Sequence, residues 1–321
     1  MKIHIPDRHS PLGNSFGYCR WADAMRSALD SLGAHTDDGD AADALVHITP
    51  PHLFCPRRGI FNVLFTTFEA EILPPEHRAA CDRADLVVVP SRHNLRVFKS
   101  AGVVAERCPL GIDSNRFRFV ERRRPRLGER FRYLWVGAPN PRKGWPILDR
   151  AWKLDFERDP QVELYVKTTC ADGSLQRDGN VIADGRRLTD QELAALYASA
   201  HCFVFPSYGE GFGLTLAEAM ATGLPAVFTP YGGVCDFAGR DNAYPLKKRM
   251  IAVEYFGRNT MAAADPAALA AQMRKVERNY QRALVKGRRA AAELAANLTW
   301  RQAALDLVSI LTARVAQASA A

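Results

Sequence analysis

Nowhere does this chain approach the roughly 20 consecutive apolar residues of a membrane-spanning helix, and its first stretch, MKIHIPDRHS, lacks the apolar core of a secretory signal. Those two gaps together imply a cytoplasmic protein without a transmembrane segment. Cys19, Cys55, Cys81, Cys108, Cys170, Cys202 and Cys235 are odd in number and scattered, with no CxxC pair. That spacing argues against a disulfide framework and against a zinc site. There is no internal repeat and no low-complexity tract, only alanine enrichment towards the C-terminus.

What the chain does have is length and apolar material. At 321 residues with 47% hydrophobic and 24% charged, it fits two globular domains of about 150 residues each rather than a single core or a disordered chain. The formal charge of +8 is concentrated, since nine arginines fall between Arg107 and Arg132. Such a run is either a surface that meets something anionic or a solvated linker. Composition alone keeps both open.

Near-continuous apolar runs at Lys2 to Ile5, Leu45 to Ile48, Val63 to Phe65 and Leu86 to Val89 suit strands buried on both faces of a parallel sheet. A second series follows: FRYLWVGA, VELYVKTT, NVIADG, HCFVFPS and PAVFTP, with helical stretches such as LTDQELAALYASA between them. Alternation of this kind predicts an α/β protein with two Rossmann-like, doubly wound parallel sheets. The expected division is an N-terminal domain over 1–115, a basic linker and hinge over 116–130 and a second domain over 131–298. A final helix over 299–321 packs back on the first domain. The Ala-rich tract from Asp265 to Ala318 reads as two helices broken near Asn297.

Ligands of open parallel sheets sit beyond the carboxyl ends of the strands, which directs attention to the loops there. YGEGFGLTLAEAMATGLPAV, residues 208–227, follows the strand HCFVFPS. Tyr208 to Gly213 is then a loop and Leu214 to Thr222 a helix, closed by Gly223 and kept from continuing by Pro225. Glu210 stands in the loop and Glu218 about one turn inside the helix. Glycines at 209, 211 and 213 let backbone approach a ligand and leave helix-start N–H groups for an anion. Two carboxylates could accept hydrogen bonds from sugar hydroxyls. On spacing alone, a purely structural strand-turn-helix is the equal alternative.

The stretch EGFGLTLAEAMATGLP resembles the E-x7-E signature of the retaining glycosyltransferases of family 4, which have the two-domain GT-B architecture with an interdomain cleft. The resemblance implies that Glu210 contacts the transferred sugar and that Glu218 holds the ribose hydroxyls of a nucleotide. Gly211, Phe212, Gly213, Leu214 and Thr215 would then line the donor. VGAPNPRKGWPIL is similar to the family's phosphate loop: Gly137, Lys143 and Gly144 match, Ala138 stands where the family has arginine, and Arg142 supplies charge from a neighbouring position. Adjacent cations at a helix start would offset the charge of a diphosphate leaving group.

Further positions follow the same resemblance. Arg186, after the strand VIADG, would border the base, and the loop from Gly13 to Gly17 resembles a glycine loop near the donor diphosphate. Glu69, at the carboxyl end of the strand NVLFT, would orient an acceptor hydroxyl or accept its proton; a salt-bridged surface glutamate is the alternative. No Asp-x-Asp metal motif stands near a donor loop.

The function expected is metal-independent, retaining transfer of a sugar from a UDP- or GDP-type nucleotide-diphospho-sugar, with no tightly bound cofactor. The acceptor hydroxyl would belong to a saccharide, a lipid-linked or a small molecule. Two alternatives stand beside it: a sugar transferase acting on nucleic acid or another polyanion, motivated by the arginine run, and a nucleotide-sugar epimerase or phosphorylase on the same fold.

Overall fold

The structure is a computed structural model that describes residues 1–6, 16–138, 140–168 and 173–319. It divides into two compact units. The first comprises Met1–Asp113, Glu254–Asn259 and Asn297–Ala321, and the second Ser114–Val253 and Thr260–Ala296.

In the first unit the apolar runs become parallel strands β1 (Ile3–His4), β2 (Ala44–Ile48), β3 (Phe61–Phe65), β4 (Leu86–Val89) and β5 (Ala105–Arg107), hydrogen-bonded in that order. All of β2 and β4 is buried, which is why they read as unbroken apolar runs rather than alternating ones. Helices α1 (Phe16–Ser31), α2 (Pro75–Cys81) and α3 (Arg92–Ser100) connect them. Ser91 starts α3 by accepting a hydrogen bond from the Asn94 N–H. Because its strands follow chain order, this sheet is wound one way.

The second unit is wound both ways. Its strands are β6 (Phe131–Val136), β7 (Val162–Lys167), β8 (Leu175–Asp178), β9 (Val181–Asp184), β10 (Cys202–Phe205), β11 (Ala226–Phe228) and β12 (Tyr244–Pro245), in the spatial order β12-β11-β10-β6-β7-β9-β8. All pairings are parallel except β8 with β9. The chain runs outward from β6 through β7 and β9, then returns so that β10 pairs with the other side of β6. The switch of direction therefore lies between β6 and β10.

Helices α4 (Trp145–Asp155), α5 (Asp190–Ser199), α6 (Leu214–Ala221), α7 (Pro266–Arg278) and α8 (Tyr280–Asn297) cover the sheet. Tyr133, Trp135, Trp152, Phe156 and Met273 pack into one core with them. The tract expected to hold a single break is also interrupted at Asn279, whose backbone leaves the helical region at φ −108°, ψ 43°. Alanine favours helix on both sides and hides that interruption from a composition-based reading.

Residues 116–130, expected to be a basic linker and hinge, are counted with the second unit. The Arg122 guanidinium is buried and donates five hydrogen bonds, to the Val120, Tyr197, Ala200 and Thr222 carbonyls and to Thr222 Oγ1. Burial pulls its pKa down to about 10, still cationic near neutrality.

A hairpin, β13 (Lys248–Glu254) and β14 (Arg258–Ala264), has its tip, 254–259, counted with the first unit. There Phe256, at φ 50°, lies against His77, and the Asn259 amide bonds the Ile72 carbonyl. The sequence reading makes no element of this stretch. Helix α9 (Trp300–Ser319) completes the first unit by packing on α1.

Candidate functional site

The loops that leave β6 and β10 flank the switch of strand direction, the position where open α/β sheets bind ligands. They are locked to each other by backbone. Gly144 closes the first loop at φ 75°, and a Cβ there would stand 2.1 Å from the Pro206 carbonyl oxygen. The Arg142 carbonyl accepts from the Tyr208 N–H at 2.7 Å, and Ser207 Oγ lies 3.0 Å from it. The Asn140 side chain accepts from the Lys143 N–H, and the Trp135 indole donates to the Lys143 carbonyl. Lys143 is thus fixed along its backbone before its side chain reaches anything.

That side chain reaches Glu210. Lys143 Nζ donates to Glu210 Oε1 at 2.7 Å, Ser207 Oγ donates to the same oxygen at 2.7 Å, and Arg142 Nη1 lies 3.4 Å from Glu210 Oε2. Arg142 Nη1 also donates to the Gly209 carbonyl. Glu210 is 7% exposed. Burial alone would raise its pKa, but the Lys143 and Arg142 charges and the hydrogen bonds from Lys143 and Ser207 outweigh it and hold the carboxyl below its usual range. The site therefore contains an anion clamped by two cations.

Glu218 lies on α6, also 7% exposed, and accepts from the Tyr197 hydroxyl of α5 at 3.1 Å. The cap position of α6 is Gly213, and no side chain caps the helix. Gly211, Phe212 and Gly213 are buried and Leu214 and Thr215 half-buried. The Phe212 ring is turned to Phe237, so what it offers a ligand is backbone.

The candidates do not all come together. Gly137, Arg142, Lys143, Gly144, Glu210, Gly211 to Thr215 and Glu218 share the switch-point loops and α6. Arg186 follows β9 on the same sheet, but its guanidinium is engaged by Asp184, with Nε and Nη2 at 3.0 and 2.9 Å from the two carboxylate oxygens. Burial would raise the Asp184 pKa, yet the hydrogen bonds from Arg186 and Tyr165 and the Lys167 charge hold it well below the usual range. What Arg186 presents is a positioned loop rather than an uncommitted cation.

Glu69 is in the first unit, where its Oε2 accepts from the Tyr255 hydroxyl at 2.7 Å. Gly17 is an exposed residue in the first turn of α1, not in a loop, and Gly13 lies outside the described residues.

Sequence reasoning missed Ser207, Asp184, Lys167 and Tyr197. Lys167 is buried and donates to the Thr168, Asp184 and Arg186 carbonyls, tying the ends of β7 and β9. A lysine closing a largely buried strand was the available signal. Among the described residues, no group of three or more His, Cys, Asp and Glu is gathered to hold a metal, and no helix is long and apolar enough to cross a membrane.

Residues 130–279 match the family described as Glycosyl transferases group 1. A D-inositol 3-phosphate glycosyltransferase of Corynebacterium jeikeium is 32% identical over 194 residues, 50% of this chain and 46% of the relative. An MMP alpha-(1->4)-mannosyltransferase of Mycolicibacterium hassiacum is 30% identical over 178 residues, 52% of this chain and 42% of the relative. The chain thus spans less than half the length of either. Among solved structures, Anabaena Alr3699/HepE in complex with UDP-glucose aligns with a TM-score of 0.67 at 16% identity, over 97% of this chain and 99% of that one. Sucrose-phosphate synthase from Thermosynechococcus elongatus aligns with a TM-score of 0.64 at 17% identity, over 97% and 82%. The fold is that of the GT-B glycosyltransferases, and residues 130–279 match the group 1 glycosyl transferase family.

Proposed function

We propose that this protein is a hexosyltransferase that moves a sugar from a nucleotide-diphospho-sugar of the UDP or GDP type to an acceptor hydroxyl, with retention of anomeric configuration and without a metal. The observation that carries this reading is the Lys143–Glu210 pair at the switch point, with Glu218 eight residues further along. Cleaving the bond between sugar and diphosphate leaves negative charge on the departing phosphates. Lys143 and Arg142, fixed beside Glu210, supply cations there without reorganising. Glu210, kept anionic, accepts hydrogen bonds from the sugar hydroxyls and fixes the ring, while Glu218 takes the ribose hydroxyls. Glu69, held by Tyr255 in the first unit, orients the acceptor hydroxyl or accepts its proton. HepE is solved with UDP-glucose, which supports a uridine donor as the first to try.

A saccharide, lipid-linked or small-molecule acceptor is favoured over a polyanion because most of the arginine run is engaged by groups of the chain itself. Arg116 pairs with Asp190, Arg123 with Glu129, and Arg130 and Arg132 with Glu163, while Arg122 and Arg124 donate to carbonyls. The test is a thermal-shift panel of UDP- and GDP-sugars, followed by mass spectrometry of acceptors incubated with the donor that stabilises most. Nucleoside diphosphate released only when acceptor is present, an α-linked product from an α-linked donor, and activity that survives chelator are expected. A new epimer formed without acceptor would sink the reading.

A further inference from the structure

The donor site holds a buried tyrosine that the mechanism above leaves unused, and the linker holds a buried arginine with no catalytic assignment; the two meet on one helix. Tyr197 is fully buried on α5 with its ring between Phe117, edge-on at 5.7 Å, and Phe203 at 5.8 Å. Its hydroxyl spans to α6, 3.1 Å from Glu218 Oε2 and 3.3 Å from the Thr215 carbonyl oxygen. Its carbonyl, at the other end of the same residue, accepts from Arg122 Nη2 at 2.9 Å.

Arg122 spends all five of its N–H groups here. Nε bonds the Ala200 carbonyl and Nη2 the Tyr197 carbonyl, both at the C-terminal end of α5. Nη1 bonds the Thr222 carbonyl and Nη2 the Thr222 hydroxyl, at the C-terminal end of α6, while Nη1 also bonds the Val120 carbonyl of its own segment. One guanidinium therefore pins the ends of both helices, and one phenol joins them again next to the carboxylate. A planar fork of five donors can do this, whereas the three donors of a lysine ammonium cannot.

We propose that Tyr197 and Arg122 are positioning residues for Glu218: the linker arginine sets α5 against α6, and the Tyr197 hydroxyl then fixes the rotamer with which Glu218 meets the ribose of the donor. This rests on the donor-site reading above and extends it to two residues that never touch the donor. A carboxylate held in advance binds a diol without first losing side-chain freedom, so removing the holder costs affinity for the ribose and little in the chemical step.

Tyr197→Phe keeps ring and volume and removes only the hydroxyl. Isothermal titration with UDP, GDP and their 2′,3′-dideoxy counterparts reads the consequence. The wild-type protein should prefer ribose over dideoxyribose, and Tyr197→Phe should bind the ribose form about tenfold more weakly while losing most of that preference. Its affinity for the dideoxy form and its kcat at saturating donor should stay within about twofold. Arg122→Lys should show the same loss of ribose preference together with a lower melting temperature. Ribose preference retained in Tyr197→Phe would overturn the proposal while leaving the donor site intact. Absence of nucleotide binding by the wild-type protein would overturn the donor-site reading, and the proposal with it.

Discussion

Glu210 is a buried carboxylate whose acidity is set by its neighbours, and substituting it separates its electrostatic role from its volume. Glu210→Gln keeps the shape and one acceptor but leaves Lys143 and Arg142 without their counter-charge. A fall in kcat of about a hundredfold is expected, with a loss of about 3 kcal/mol in stability at neutral pH. Because the folded-state pKa is depressed, the carboxylate's contribution is complete above its ordinary value of 4.5 and is lost as pH falls through the folded value. Urea titrations at about pH 7 and about pH 3 should therefore show the gap between the wild-type protein and Glu210→Gln closing in acid. A gap independent of pH would mean that the two cations are not what holds Glu210. Glu210, Glu218 and Lys143 could be singled out in the sequence because their glycine-flanked stretches resemble a known signature, not through spacing alone. Ser207 stands only three residues from Glu210, yet a serine closing a strand carries no signal of its own. Tyr197 and Arg122 act across separations of 21 and 100 residues, on Glu218 and Thr222 respectively, and no local pattern announces contacts that only folding creates.

At the scale of elements, two glycines of the candidate set behave oppositely. Gly144→Ala would put a methyl 2.1 Å from the Pro206 carbonyl in a left-handed backbone. It should destabilise the protein by about 2 to 3 kcal/mol and raise the KM for donor, because the loop that fixes Lys143 must shift. At Gly17 a Cβ meets nothing within 4 Å among the described residues, and the residue lies in a helix. Gly17→Ala should be neutral to stabilising by up to about 1 kcal/mol. Paired denaturation curves and donor KM values check both, and a raised KM in Gly17→Ala alone would restore a donor role to that turn. The same contrast explains how far elements could be read. Fully buried strands such as LVVV and LVHI announce themselves through apolar runs, and the end of α6 through Gly223. The β13–β14 hairpin did not, because its strand KRMIAVE is largely exposed and contributes no buried apolar run, and its tip Tyr255–Phe256–Gly257 gains meaning only where Phe256 meets His77. The break at Asn279 was masked by helix-favouring residues on either side.

Over the whole molecule, part of the arginine run is engaged within the chain, with Arg122 buried, and it shapes the acid response. The same arginines that raise the net charge to +8 act on His201. Burial first, then Arg132 and Arg122, lower its pKa to about 4. In the first unit His77 is likewise lowered to about 4, by burial and by the His52 ring that stacks on it, against a smaller upward pull from Glu76. Each unit thus contains a histidine, His77 in the first and His201 in the second, that stays neutral near pH 7. A base with a depressed folded-state pKa resists protonation when folded, whereas the unfolded chain takes up the proton below about 6.5. Stability should accordingly be complete above pH 6.5, fall as pH drops from there to about 4, and lose this dependence below that value, where the folded protein is protonated as well. His77→Gln and His201→Gln remove the titrating group, so each should flatten the slope of unfolding free energy against pH within that window. Chemical denaturation at half-unit steps of pH reads the slope. If both substitutions leave it unchanged, the acid sensitivity arises from the carboxylates rather than from these two histidines.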